Sequence, residues 1–168
     1  MVHFSVSGPY VIPVYQGKNG RIVRTEEGDA FFKQHPSASK KRGCYILAMR
    51  AGGGITPTYI GKATKTFGQE CFSPHKLGKC NESLVDYERG TLIMFLVEAP
   101  DGKGPTPAKQ IGLLETFLIQ TGVSVNDELL NVKGTKEADW SIKGIIRSPS
   151  MGRPHKPISD FKKTFHLE

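Results

Sequence analysis

Between Pro107 and Gly122 the chain reads PAKQIGLLETFLIQTG, and Glu115 is the one carboxylate in that run. Ile111, Leu114, Leu118 and Ile119 recur there at helical spacing, and Glu115 lies one turn from both Ile111 and Ile119. It therefore shares the face expected to be buried, where an unpaired carboxylate is costly. Two kinds of partner satisfy such an acid: a lysine at the rim of a core, or a bound cation with chemistry to do. Thr106 as N-cap, Pro107 at the first helical position and Gly122 just past the end give this helix its expected limits.

Other residues able to do chemistry lie upstream. Tyr45 and Tyr59 fall in two short β-prone runs, GCYILAM from Gly43 to Met49 and ITPTYI from Ile55 to Ile60, joined by the flexible Arg50 to Gly54. These runs read as a hairpin, with Pro57 making the second strand irregular because proline cannot donate to a ladder. Paired strand tyrosines also serve simply as half-buried packing. Cys71, His75 and Cys80 form C-x3-H-x4-C, to which Cys44 could add a fourth zinc ligand. The spacing departs from the usual short pairs, and Cys80 fits an apolar stripe with Leu77, Leu84 and Tyr87, so core cysteine is the favoured reading. That stripe predicts an amphipathic helix from Pro74 to Tyr87. Thr91 to Val97, TLIMFLV, reads as a buried central strand, and PDGKGPTP as a loop leading into the Glu115 helix.

The first forty residues read as β-prone pieces punctuated by turns: VHFSVS, Tyr10 to Tyr15 and RIVR, with breaks at Gly8-Pro9 and at Lys18-Asn19-Gly20, the last a hairpin signal. From Glu26 to Arg42 the chain turns polar, with HPSASKKR as a loop. The expected organisation is an N-terminal β-rich extension over 1–40 packed on the core, a core domain over 41–148 and a basic C-terminal tail over 149–168. In the tail GRPHKP is either a phosphate contact or a solvated terminus, and Lys162-Lys163 sit in a possible closing helix.

At 168 residues and 38% hydrophobic, the chain supports one core of ordinary size. Its 23 Lys and Arg against 16 Asp and Glu give net +7, which favours a polyanionic partner, nucleic acid first. No segment approaches the roughly 20 apolar residues of a membrane span, and the start lacks the pattern of a secretory signal. Three cysteines do not form a disulfide framework. The expected setting is the cytoplasm, with reduced thiols and no membrane.

Taken in order, the strand GCY (Gly43, Cys44, Tyr45), the strand TYIGKA (Tyr59, Ile60, Gly61, Lys62, Ala63), the helical Glu115 and Asn131 in LLNVKG resemble the GIY-YIG nuclease superfamily. The resemblance runs from Gly43 to about Gly134, and its specificity lies in the ordered set rather than in either tripeptide. It implies an α+β fold, a small antiparallel β-sheet flanked by helices, here with an N-terminal β-rich and a basic C-terminal extension. It implies a divalent-metal-dependent endonuclease hydrolysing DNA phosphodiester bonds, with Mg2+ or Mn2+ held by Glu115. Tyr45 and Tyr59 would be the paired strand tyrosines, Gly61 the glycine of the second motif and Asn131 a supporting polar residue.

Lys62 is assigned to charge stabilisation, and Tyr45 is a base only where a nearby cation lowers its pKa from near 10. The family's arginine, about ten residues beyond the second tyrosine, has no counterpart, since that region reads KTFGQECF and places Gln69 or Glu70 there. His75 and Lys76, at the start of the next helix, are the substitutes, although lysine neutralises a phosphate without gripping it bidentately. The expected partner is nucleic acid, double-stranded DNA foremost, and a double-strand cut would call for a dimer or sequential nicks. The alternative is a non-catalytic nucleic-acid-binding module that keeps the fold.

Overall fold

The computed structural model describes residues 2–87, 89–101, 108–131, 133–134 and 164. The chain divides into two compact units, Met1–Thr135 and Lys136–Glu168. The fold that follows is that of the first; of the second, only Thr164 is described, an exposed helical residue. The expected Thr106 cap, Pro107, the GRPHKP tail and Lys162-Lys163 lie outside the described residues.

The first unit is α+β, built on a four-stranded antiparallel sheet. Its strands are β1 (Ser5–Val11), β4 (Gly43–Ala51), β5 (Gly54–Ala63) and β6 (Thr91–Glu98), ordered β1-β6-β4-β5. A separate two-stranded ribbon pairs β2 (Tyr15–Gly17) with β3 (Gly20–Ile22) across the anticipated Asn19-Gly20 turn. The helices are α1 (Thr25–Gln34), α2 (Pro36–Ser39), α3 (Phe67–Glu70), α4 (Pro74–Asp86) and α5 (Ala108–Val125). Among the described residues no helix is long and apolar enough to cross a membrane.

β4 and β6 are interior strands covered on both faces, which is why they read as nearly unbroken apolar runs. On one face Tyr45, Leu47 and Met49 of β4 and Leu92, Met94 and Leu96 of β6 pack with Phe31 of α1, Phe67 of α3 and Cys80 and Leu84 of α4. On the other, Cys44 and Val97 pack with Ile111, and Ile60 with Ile119, under α5. The sheet thus separates two helical layers, with β1 and β5 as its edge strands.

Several local expectations give way to this packing. Gly8-Pro9 does not end a strand; it lies within β1 at a register shift between Ser7 and Tyr10. The polar stretch after Glu26 is largely helical, because α1 buries Phe31 and its first turn is closed by Glu27, whose carboxylate accepts from Arg24 N and from the Arg24 guanidinium. HPSASKKR is likewise not all loop, since α2 occupies Pro36–Ser39. Gly122 does not terminate α5, which runs three residues further. It is buried in the helix because a Cβ there would stand 2.8 Å from Ile60 Cδ1. The irregularity expected at Pro57 is a bulge at Thr58, between the pairs Leu47–Tyr59 and Ala48–Pro57.

Candidate active site

An edge strand must dispose of one row of backbone polar groups. Along β5 the segment after α5 does this. Asn126 Nδ2 donates to Pro57 O (2.8 Å), Leu130 N to Thr58 O (2.8 Å), and the Asn131 side chain takes both groups of Ile60: Ile60 N donates to Oδ1 (2.9 Å), Nδ2 to Ile60 O (2.7 Å). Asn131 therefore imitates a neighbouring strand at one residue. With both amide atoms engaged, its role is to hold β5 in place beside the site.

Next to that seam lies a groove of about 450 Å³, lined among others by Tyr59 and Lys62 of β5, His75 and Lys79 of α4, Glu115 of α5, and Asn131 and Lys133. Alternation along β5 explains how one strand serves both walls: Tyr59 points to the α4 layer, while Ile60 and Lys62 point to α5. Five of the seven residues expected to act, Tyr59, Lys62, His75, Glu115 and Asn131, line this space. Lys79 and Lys133 were not anticipated. Lys79 had a signal, being one helical turn beyond His75; Lys133, in an irregular segment, had none.

Glu115 is about one-fifth exposed, and its Oε2 accepts a 2.8 Å hydrogen bond from Lys62 Nζ, which is itself nearly half exposed. This bond holds the Lys62 ammonium above its ordinary pKa. The lysine-paired rim acid is thus present, and the same carboxylate opens onto the groove. Lys62, Lys79 (paired with Glu82) and Lys133 line the groove with His75, and Glu115 is the only acid among its described lining residues.

The two tyrosines part company. Tyr59 lines the groove, and Lys76 Nζ donates to its Oη while standing 4.8 Å from the ring centroid. Since Oη accepts from Lys76, its own proton is free to point to a ligand. Lys76 thus contacts the groove-lining Tyr59 and is not itself among the lining residues. Tyr45 is fully buried, its ring 6.2 Å from that of Tyr59, and its hydroxyl has no hydrogen-bond partner among the described residues. Burial drives that phenol far above its ordinary pKa, and the nearby Lys62 ammonium is engaged by Glu115. Tyr45 is thus withdrawn into the core and is not among the residues lining the groove. Its ring lies over Gly61, its cross-strand partner, where a Cβ would come within 2.5 Å of Cζ. Gly43 has a separate reason: at φ +147° it lets the Val97 carbonyl approach where a side chain would stand.

Neither residue at the family's arginine position faces the groove. Gln69 is exposed, and Glu70 Oε1 accepts from Lys65 N (2.6 Å), closing the turn into α3. The zinc alternative also fails to assemble. Cys44 faces α5, its Sγ 3.5 Å from Ile111 O, whereas Cys71 and Cys80 are buried in the opposite layer and His75 is exposed. Burial pushes the Cys44 and Cys80 thiols up to about 12. Among the described residues no three His, Cys, Asp or Glu side chains gather to hold a metal by themselves.

A dication that retains several waters and takes its remaining ligands from a phosphate does not require such a trio; one carboxylate suffices. Glu115 meets that requirement, with oxygen ligation of the type Mg2+ or Mn2+ takes and no thiolate in the groove lining. The chain matches no protein-family model, no curated protein and no solved structure.

Proposed function

We propose that the chain is a divalent-metal-dependent endonuclease of GIY-YIG type that hydrolyses DNA phosphodiester bonds in the β5-edge groove. The observation that carries this reading is the grouping of one carboxylate, Glu115, with Lys62, Lys79, Lys133, His75 and the Tyr59 hydroxyl around a single groove. A phosphodiester repels an anionic nucleophile, so a site that cleaves it needs cationic groups on the phosphate oxygens. Lys62, Lys79 and Lys133 provide that neutralisation as point charges. Tyr59, fixed by Lys76, donates to a phosphate oxygen or orients the attacking water. His75, exposed on the first turn of α4, is placed to exchange a proton with water or the leaving oxygen. Glu115 holds Mg2+ or Mn2+, which when bound offsets charge on the phosphate and acidifies a ligated water.

One observation favours the non-catalytic binding module: the Lys62–Glu115 ion pair already satisfies one carboxylate oxygen. Supercoiled plasmid incubated with Mg2+ or Mn2+ separates the readings. The nuclease reading predicts nicking by the natural chain and none by Glu115→Ala. Equal nicking by both assigns the cut to a contaminant, and salt-dependent binding by both without nicking selects the binding module.

A further inference from the structure

The open end of the β4–β5 hairpin carries a second basic pocket that the groove does not include. Lys40, Lys41 and Arg42 lead into β4, Lys65 and Thr66 leave β5, and with Ala99, Pro100 and Asp101 they enclose about 190 Å³. The backbone beneath these cations is pinned from three sides. Phe67 N donates to Lys41 O (2.7 Å), Ala99 N to Arg42 O (2.8 Å), and Lys65 N to Glu70 Oε1 (2.6 Å). Like charges are thus held together by main-chain bonds, an arrangement their mutual repulsion would not produce. Asp101, four-fifths exposed, supplies the one carboxylate among the described lining residues, paired with the Lys41 ammonium.

We propose that this pocket is a phosphate subsite for the same nucleic-acid strand that the groove receives, with the Asp101 carboxylate occupying it until a phosphodiester displaces it. The inference rests on the nucleic-acid reading of the groove but not on cleavage. Lys65 follows Lys62 by three residues, a reach of at most roughly 10 Å. Along a duplex axis, where the phosphates of one strand rise 3.4 Å per step, that spans at most about three steps, so one backbone can engage both. An ammonium and a guanidinium suit phosphate oxygens, and Thr66 adds a hydroxyl at the pocket wall.

Binding of a fluorescent DNA duplex by the full chain, measured in EDTA across a salt series, tests the subsite apart from cleavage. For Lys41→Ala/Lys65→Ala the slope of log K against log salt should fall by about 1 relative to the natural chain, as expected for one lost phosphate contact. Arg50→Ala removes a charge at the opposite end of β4, roughly 23 Å away, and should leave the slope unchanged. Asp101→Asn should tighten binding several-fold. An unchanged slope in the double variant, an equal fall in Arg50→Ala, or no DNA binding by the natural chain would overturn the subsite. If the slope falls while Glu115→Ala and the natural chain both fail to cut, the subsite stands and the nuclease reading falls. If plasmid is cut and the slope does not move, only the subsite is wrong.

Discussion

Tyr45 and Tyr59 lie on adjacent strands with ring centroids 6.2 Å apart and pack in the same core cluster, yet only Tyr59 also lines the groove. The region around Tyr45 is dry: its ring is pressed on Gly61 and its hydroxyl is unpartnered. The region around Tyr59 is polar, with Lys76 on the hydroxyl and the groove beyond. What separates them is position in the sheet. β4 is covered on both sides, whereas β5 is an edge strand whose outer side opens between α4 and α5. The same residue type thus only packs on one strand, and on the next packs while its hydroxyl accepts from a lysine.

The sharpest way to break this contrast is to remove each hydroxyl in turn. Tyr59→Phe should lower plasmid cleavage on the order of 10²-fold, the cost of one preorganised donor, with the melting temperature little changed. Tyr45→Phe should leave cleavage alone and leave stability equal or higher, because it deletes a buried hydroxyl without a partner. Comparable losses of cleavage in the two variants would erase the distinction.

The dry side can also be tested by crowding it. Gly61→Ala would push a methyl group into the Tyr45 ring, and denaturant titration should show a loss of about 1–3 kcal/mol, the usual cost of overpacking. A stability equal to that of the natural chain would show that the ring has room to move.

A smaller effect is expected at the groove. Lys62→Ala should cost less than about 1 kcal/mol, since the pair is partly solvated and screened. Its sign with pH follows from the raised lysine pKa. The contribution is fully present below the unfolded value near 10.4 and is lost as pH rises through the higher folded value. Urea titrations of both proteins from pH 8 upward should therefore converge at the alkaline end; divergence there would contradict the pairing. Least visible of all, the three buried cysteines should resist alkylation at pH 8 in the native protein and react together once it unfolds. Rapid labelling of Cys44 or Cys80 in the folded state would contradict thiols pushed up to about 12.

The elements that position the site were legible where hydrophobic periodicity is strong. The β4–β5 hairpin, the apolar β6, and the stripes of α4 and α5 all follow from local pattern. The helix α1 was not, because TEEGDAFFKQ is polar except for the face holding Phe31, and its cap uses Arg24 where a serine or threonine would signal a start. The inward lean of Glu115 and its lysine-or-cation choice were readable; that Lys62 is the lysine required the strand register. The bracing of Ile60 by Asn131 joins residues 71 apart and leaves no trace in spacing. Nor does sequence distinguish Tyr45 from Tyr59, since both sit in short apolar strands and only the neighbouring layers assign their roles.

The central claim is that Glu115 serves a divalent cation as well as Lys62. Electron paramagnetic resonance of Mn2+ titrated into the protein with an uncleavable phosphorothioate oligonucleotide reads this at the ion itself. The account predicts a bound Mn2+ signal in the natural chain and in Lys62→Ala, and its disappearance in Glu115→Gln. Equal binding in Glu115→Gln, or none in any of the three proteins, would leave the carboxylate as nothing more than the counter-ion of a lysine.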